Sequence, residues 1–242
     1  MSIDDFQLPI ANRQLTIRAG IVNRQSMNWK LPNQLTVGRI ALAAAFFLLL
    51  GLYEQGTDWG RWMLNAAFAI YILAGVTDVL DGHLARKMNL TSAFGRIADP
   101  FVDKVLVVGA FAMLTGSNFV LKAEFAPRQE LALPAWLTGE MASSVQAWMV
   151  VVIMGREFIV SAVRGYSESQ GMKFPATPAG KIKMFVQSVA ICAVLYQLAN
   201  VRQPAWAVYV KVCLVWLAMI VTLVSGLTFV GKARRLLIGG ER

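Results

Sequence analysis

Six apolar runs of roughly 20 residues each, near 34–53, 61–86, 95–116, 147–170, 179–199 and 205–230, take up most of this 242-residue chain. A helix rises about 1.5 Å per residue, so a run of about 20 covers the hydrocarbon core of a bilayer. Inside that core the backbone must satisfy its own hydrogen bonds, which leaves helices or closed barrels, and runs of this length fit helices. Composition agrees with lipid as the solvent: 57% of the residues are hydrophobic and 15% charged, against about 45–50% and about 25% in soluble domains. The mean hydropathy is +0.54. The expected fold class is an all-α integral membrane protein built as a six-transmembrane-helix bundle. A polar leader over 1–31 precedes a membrane domain over 32–232, and a basic tail follows over 233–242.

Six spans put both termini on one side of the membrane. The connections near 54–60, 117–146 and 200–204 then share the other face. There Arg61, Lys122, Arg128, Arg202 and Lys211 are balanced by Glu54, Asp58, Glu124, Glu130 and Glu140, so the whole formal charge of +9 lies on the side of the termini. Lys and Arg concentrate on cytoplasmic faces, which makes both termini cytoplasmic. Tyr53, Trp59, Trp62, Trp136, Trp148, Trp206 and Tyr209 fall near span ends, at headgroup level. No small-residue cleavage site follows the first apolar run, so that run is expected to be retained. Cys192 and Cys213 lie in apolar runs without metal-ligand spacing and are expected to be small buried hydrophobes. The long connection near 117–146 is expected to be an extracytoplasmic loop with a short interfacial helix.

Four carboxylates interrupt this apolar pattern. The second run ends in TDVLDGHLAR and the third opens with SAFGRIADPFVDKV. Asp78 and Asp81 are three residues apart and Asp99 and Asp103 four apart, so on helices each pair shares a face. The short link between the runs folds the two helices antiparallel and brings both pairs toward one point. Each ionised carboxylate placed in a membrane helix costs on the order of 2.5–3.5 kcal/mol even alone, so a group of four calls for bound cations. All-oxygen ligands favour Mg²⁺ or Mn²⁺, and a pair of divalent metal ions is a known arrangement for phosphoryl chemistry. The bland alternative, Asp78 and Asp81 merely pairing with Arg86 and Lys87, explains one aspartate pair but not two. Gly82, Ala85 and Gly95 are small enough to let a bulky ligand approach the helix backbones, although small residues also serve helix packing. Arg86 suits a bidentate phosphate contact. His83, the only histidine, lies outside the aspartate spacing and is read as interfacial.

Asp78, Asp81, Gly82, Ala85, Arg86, Gly95, Asp99 and Asp103 match every fixed position of the signature D-x2-D-G-x2-A-R-x8-G-x3-D-x3-D. The chain therefore resembles the CDP-alcohol phosphatidyltransferases. That resemblance implies the six-helix membrane fold of the family, usually dimeric, with a dinuclear metal site at the cytoplasmic face. It implies that the first three aspartates bind metal and that Asp103 is both a metal ligand and the base. LPNQLTVGR at 31–39 looks like the family's entry to its first helix, implying CDP contacts from Asn33, Gln34, Leu35 and Thr36. Ser92 resembles another nucleotide-side position. GREFIVSAVR at 155–164 and PAGKIKMFVQ at 178–187 are similar to segments of the bacterial members that make phosphatidylglycerol phosphate. Val102 departs from the commoner small residue before the last aspartate. The polar leader and the connection near 117–146 depart from compact relatives.

The implied substrates are CDP-diacylglycerol, held in membrane lipid, and glycerol 3-phosphate, in a homodimer of a bacterial inner membrane. Arg156, Arg164 and Lys181, with Lys183 nearby, are cations on membrane helices that need partners, and the acceptor's phosphate would supply one. Arg156, Arg164 and Lys181 are the expected acceptor-phosphate site; an ion pair between Glu157 and Arg164 and simple topological lysines are the bland readings. No Ser, Cys or His is placed to form a covalent intermediate, so a single displacement is expected. Inositol phosphate, serine or phosphatidylglycerol are the alternative acceptors, and a cation transporter is the alternative class. No nucleic-acid-binding module is recognisable, and the cations mark membrane topology.

Overall fold

The structure is a computed structural model describing residues 30–88, 93–120, 141–170, 178–201 and 204–239, with the backbone alone for 80–88 and 93–100 and for a few residues at other helix ends. The leader up to residue 29 and positions 121–140 of the long connection lie outside the described residues. Among the described residues six α-helices correspond one to one with the apolar runs: α1 Lys30–Gly51, α2 Asp58–Met88, α3 Ala93–Met113, α4 Ala147–Ser169, α5 Pro178–Asn200 and α6 Ala205–Gly239. The last runs well beyond residue 230. Among the described residues three segments, Asp58–Val79, Pro178–Asn200 and Ala205–Gly231, are long and apolar enough to cross a membrane. The apolar part of α1 is the shorter Thr36–Gly51. Charged residues interrupt α3 (Asp99, Asp103, Lys104) and α4 (Arg156, Glu157, Arg164).

Helix contacts run α1 to α2, α2 to α5, α5 to α6, α6 to α4, α4 to α3 and α3 back to α1, with α3 also meeting α5 across the middle. The six helices thus close a ring. Buried Leu64, Ala67, Tyr71 and Ala74 recur at helical spacing on the inner face of α2, and Phe46 and Leu50 meet them from α1. The outer faces expose Leu48, Val76, Val151, Phe185 and Leu227, the pattern of helices whose surroundings are lipid. Cys213 is exposed on this outer surface and Cys192 is half-buried, both as free thiols; the expectation of two buried cysteines is corrected, because helix rotation turns Cys213 outward.

One end of the ring is tied by polar contacts. Asn118 Nδ2 donates to Gly51 O at 3.0 Å, and Arg61 Nε to Ala199 O at 3.1 Å. Buried Lys211 donates to Ala142 O, and Ser143 Oγ to Leu114 O at 2.6 Å. A 3₁₀ turn, Ser117–Phe119, and a bridge between Val120 and Met141 are what the described residues contribute to the long connection; an interfacial helix within 121–140 falls outside them. The opposite end holds the chemistry.

Candidate active site

The inner face of α5 changes character along its length. Toward its carboxyl end it buries Ala190, Ile191, Val194 and Leu195, but at its start the buried residues are Lys183 and Gln187. Glu157 of α4 and Thr222 and Ser225 of α6 are buried at the same end. Buried polar groups persist only where they satisfy one another or a ligand. This end of the bundle is therefore a polar chamber within an apolar ring.

Two signature aspartates meet there. Asp78 comes from the last third of α2 and Asp103 from the middle of α3, and both reach one nitrogen of Arg39 on α1. Arg39 Nη1 lies 2.9 Å from Asp78 Oδ1 and 3.3 Å from Asp103 Oδ1. The arginine side chain is 3% exposed, against 40% for Asp78 and 25% for Asp103. Two carboxylates from different helices thus converge on a single positive centre, a donor arrangement that fits a hard divalent ion. Asp81 and Asp99 have side chains outside the described residues, as do Ala85 and Arg86; Gly82 and Gly95 sit on the same backbone stretches, and Ser92 falls outside. Among the described residues no three metal-ligating side chains form a cluster. Of the expected nucleotide contacts, Thr36 is buried one turn before Arg39 and Gln34 is exposed, while the side chains of Asn33 and Leu35 lie outside the described residues.

Beside Asp103 opens a cavity of about 260 Å³ lined by Asp103, Lys104, Val107, Val108, Glu157, Arg164, Lys183, Met184 and Gln187. Three cations thus face it with the carboxylates of Asp103 and Glu157. Glu157 Oε1 accepts from Arg156 Nη1 at 2.9 Å and from Lys183 Nζ. Arg156 Nη2 donates to Ser225 Oγ at 3.0 Å, and Lys104 Nζ donates to Ser161 Oγ. Gln187 Nε2 donates to Thr222 Oγ1 at 2.8 Å. Two buried atoms of cavity-lining residues, Arg164 Nε and Gln187 Oε1, have no hydrogen-bond partner among the described residues. One is a donor and the other an acceptor, which suits a ligand bearing both an anionic group and a hydroxyl. Gly226 makes the arrangement possible, because a Cβ there would stand 2.9 Å from Arg156 Cγ.

Of the expected acceptor cations, Arg164 lines the cavity, whereas Arg156 and Lys181 are not among its lining residues. Arg156 lies behind it, paired with Glu157. Lys181 is exposed. Glu157 pairs with Arg156 and Lys183, so the ion pairs recorded for it differ from the Glu157–Arg164 pairing that spacing allowed. Arg39, Lys104 and Gln187 were not singled out from the sequence. For Arg39 a signal existed: a cation inside an apolar helix needs a partner.

The sequence profile described as CDP-alcohol phosphatidyltransferase matches residues 29–224. A CDP-diacylglycerol–glycerol-3-phosphate 3-phosphatidyltransferase of Bacillus subtilis is 32% identical over 213 residues, covering 84% of this chain and 95% of that protein. The Escherichia coli protein of the same name is 30% identical over 210 residues, 86% of this chain and 97% of its own. The Arabidopsis thaliana chloroplastic/mitochondrial form 1 is 37% identical over 169 residues, 68% of this chain and 50% of its own.

Proposed function

This chain belongs to the CDP-alcohol phosphatidyltransferase family, and from that membership we propose that it transfers the phosphatidyl group of CDP-diacylglycerol to glycerol 3-phosphate, releasing CMP. The observation that carries this reading is the cavity with Asp103 on one side and Lys104, Arg164 and Lys183 around it. A phosphorylated alcohol would place its phosphate on the cations and its hydroxyl near Asp103. Of the alternative acceptors, serine and phosphatidylglycerol bring either no phosphate or one already esterified at both ends and match three cations less well, whereas inositol phosphate also carries a phosphate and is separated from glycerol 3-phosphate by the names of the relatives and by the assay below.

Asp78, Asp81, Asp99 and Asp103 would hold two divalent ions, Mg²⁺ or Mn²⁺. When bound, such a pair withdraws charge from phosphoryl oxygens and stabilises CMP as the leaving group. Asp103 takes the proton of the acceptor hydroxyl. The hydroxyl oxygen bonds to the lipid-bearing β-phosphorus as the bond from that phosphorus to the CMP oxygen breaks. Asn33, Gln34, Leu35, Thr36, Gly82, Ala85, Arg86, Ser92 and Gly95 are the proposed donor contacts. Arg164, Lys183 and Lys104 hold the acceptor phosphate, with Arg156 fixing Glu157 behind them. The site faces the cytoplasm of a bacterial cell, and the chain works as a homodimer.

The test is CMP release by purified protein given CDP-diacylglycerol and a panel of acceptors, with and without EDTA. Glycerol 3-phosphate should support turnover above inositol phosphate, serine and phosphatidylglycerol, and EDTA should abolish it. Asp103→Asn should lose turnover across the pH range. Preference for an unphosphorylated acceptor would overturn the assignment.

A further inference from the structure

Arg39 belongs neither to the aspartate signature nor to the acceptor cavity, yet it is the buried group that joins Asp78 to Asp103. Its Nη1 engages one oxygen of each, at 2.9 and 3.3 Å. We infer that Arg39 is an internal competitor for the metal site, a positioning residue whose guanidinium and an incoming divalent ion would compete for the carboxylates of Asp78 and Asp103. This rests on the reading of those aspartates as metal ligands.

Two physical effects point the same way. An oxygen accepting a short, charge-assisted hydrogen bond offers less of its lone-pair density to a metal. A fixed positive charge a few ångströms from a dication also repels it; the guanidinium is 3% exposed, and water reaches the pair from the side of Asp78 and Asp103, which are 40% and 25% exposed. Against these stands the repulsion among the aspartates, which Arg39 relieves before any metal arrives. The guanidinium therefore keeps Asp78 and Asp103 assembled while lowering their affinity for metal. Linkage makes the two statements one: whatever stability the Arg39 contacts add to the protein without metal and lose on binding, metal must supply. Occupancy of the site should consequently follow the ambient divalent-ion concentration rather than saturate at trace levels.

The full chain, purified in detergent and stripped with EDTA, is titrated with Mn²⁺ while free ion is read by electron paramagnetic resonance; thermal unfolding is recorded with and without Mn²⁺. Arg39→Gln should lower Tm in EDTA, gain more from Mn²⁺ than the unmodified protein, and bind Mn²⁺ about tenfold more tightly, the equivalent of about 1.4 kcal/mol. Arg39→Lys, which keeps the charge but loses the fork, should shift affinity in the same direction by less. Arg61→Gln removes a positive charge roughly 25 Å away along α2 and should leave Mn²⁺ affinity unchanged. Unchanged or weaker Mn²⁺ binding in Arg39→Gln would overturn the competition, because a residue that merely packs or only orients ligands cannot tighten metal binding when removed. Should Arg39→Gln fail to fold, the same comparison in Arg39→Lys decides. Absence of Mn²⁺ binding by the unmodified protein would instead overturn the metal site itself.

Discussion

Lys181 and Lys183 are two positions apart on α5, which turns them roughly 200° from each other around the helix. One is exposed and the other is 4% exposed, against the carboxylate of Glu157. That difference of direction separates their proposed roles. Lys183→Gln should raise the KM for glycerol 3-phosphate about ten- to hundredfold, since a charge-assisted contact contributes about 1.5–3 kcal/mol, and should leave the KM for CDP-diacylglycerol nearly unchanged. Lys181→Gln should behave like the unmodified enzyme. Initial-rate kinetics in both substrates check this, and equal effects of the two substitutions would remove Lys183 from the acceptor pocket. The sequence reading assigns Lys181 rather than Lys183 to the acceptor phosphate, whereas Lys183 is the one that lines the cavity. The choice depends on how the helix is rotated against α3 and α4, information carried by packing rather than by local pattern. The aspartate signature was legible for the opposite reason, because its spacing sets the geometry within two consecutive helices.

At the level of the helix, the packing of α6 on α4, which includes Val160 against Phe229 and Ala233, depends at one point on a missing side chain. Gly226 leaves the space through which Arg156 reaches Ser225, and a Cβ would collide with Arg156 Cγ at 2.9 Å. Gly226→Ala should therefore push the guanidinium off Ser225 and Glu157, costing about 1–3 kcal/mol as overpacking typically does and loosening the Lys183 pairing behind it. Gly231→Ala, about one and a half turns further along with nothing within 4 Å, should cost little. Thermal unfolding of both variants in detergent provides the comparison; a Gly226→Ala protein as stable as Gly231→Ala would show that Arg156 can relax elsewhere without loss. The helices themselves were readable, their apolar runs ending within a few residues of the observed limits for α1 to α5. The end of α6 was not, because Lys232, Arg234 and Arg235 break the apolar run while remaining good helix formers. Arg39 was missed because its partners lie on two other helices, Asp78 and Asp103, far away in sequence.

Across the molecule, the two ends of the ring differ in chemistry. The site end carries the buried charges of Arg39, Glu157 and Lys183, and the other, where Lys211 is buried against a backbone carbonyl, presents Trp59, Trp62, Trp148 and Trp206, all substantially exposed, at the starts of α2, α4 and α6. Aromatic residues of this kind favour the headgroup layer, and the excess of basic residues on the site end is the basis for the proposed cytoplasmic side. In a background lacking Cys192 and Cys213, Thr57→Cys and Ser117→Cys should react with an impermeant maleimide on intact cells, while Ser169→Cys should react only after permeabilisation. Labelling of Ser169→Cys from outside would invert the topology. The tryptophan girdle has an optical consequence. The indoles of Trp59, Trp62, Trp148 and Trp206 stand at the far end of the bundle from Asp103, so their share of the intrinsic emission should answer to brominated or spin-labelled lipids and stay nearly silent when a nucleotide or phosphate binds. With Trp29, Trp136 and Trp216 replaced by Phe, fluorescence is thus a gauge of depth in the bilayer, and a titration followed by that light would record the solvent rather than the substrate.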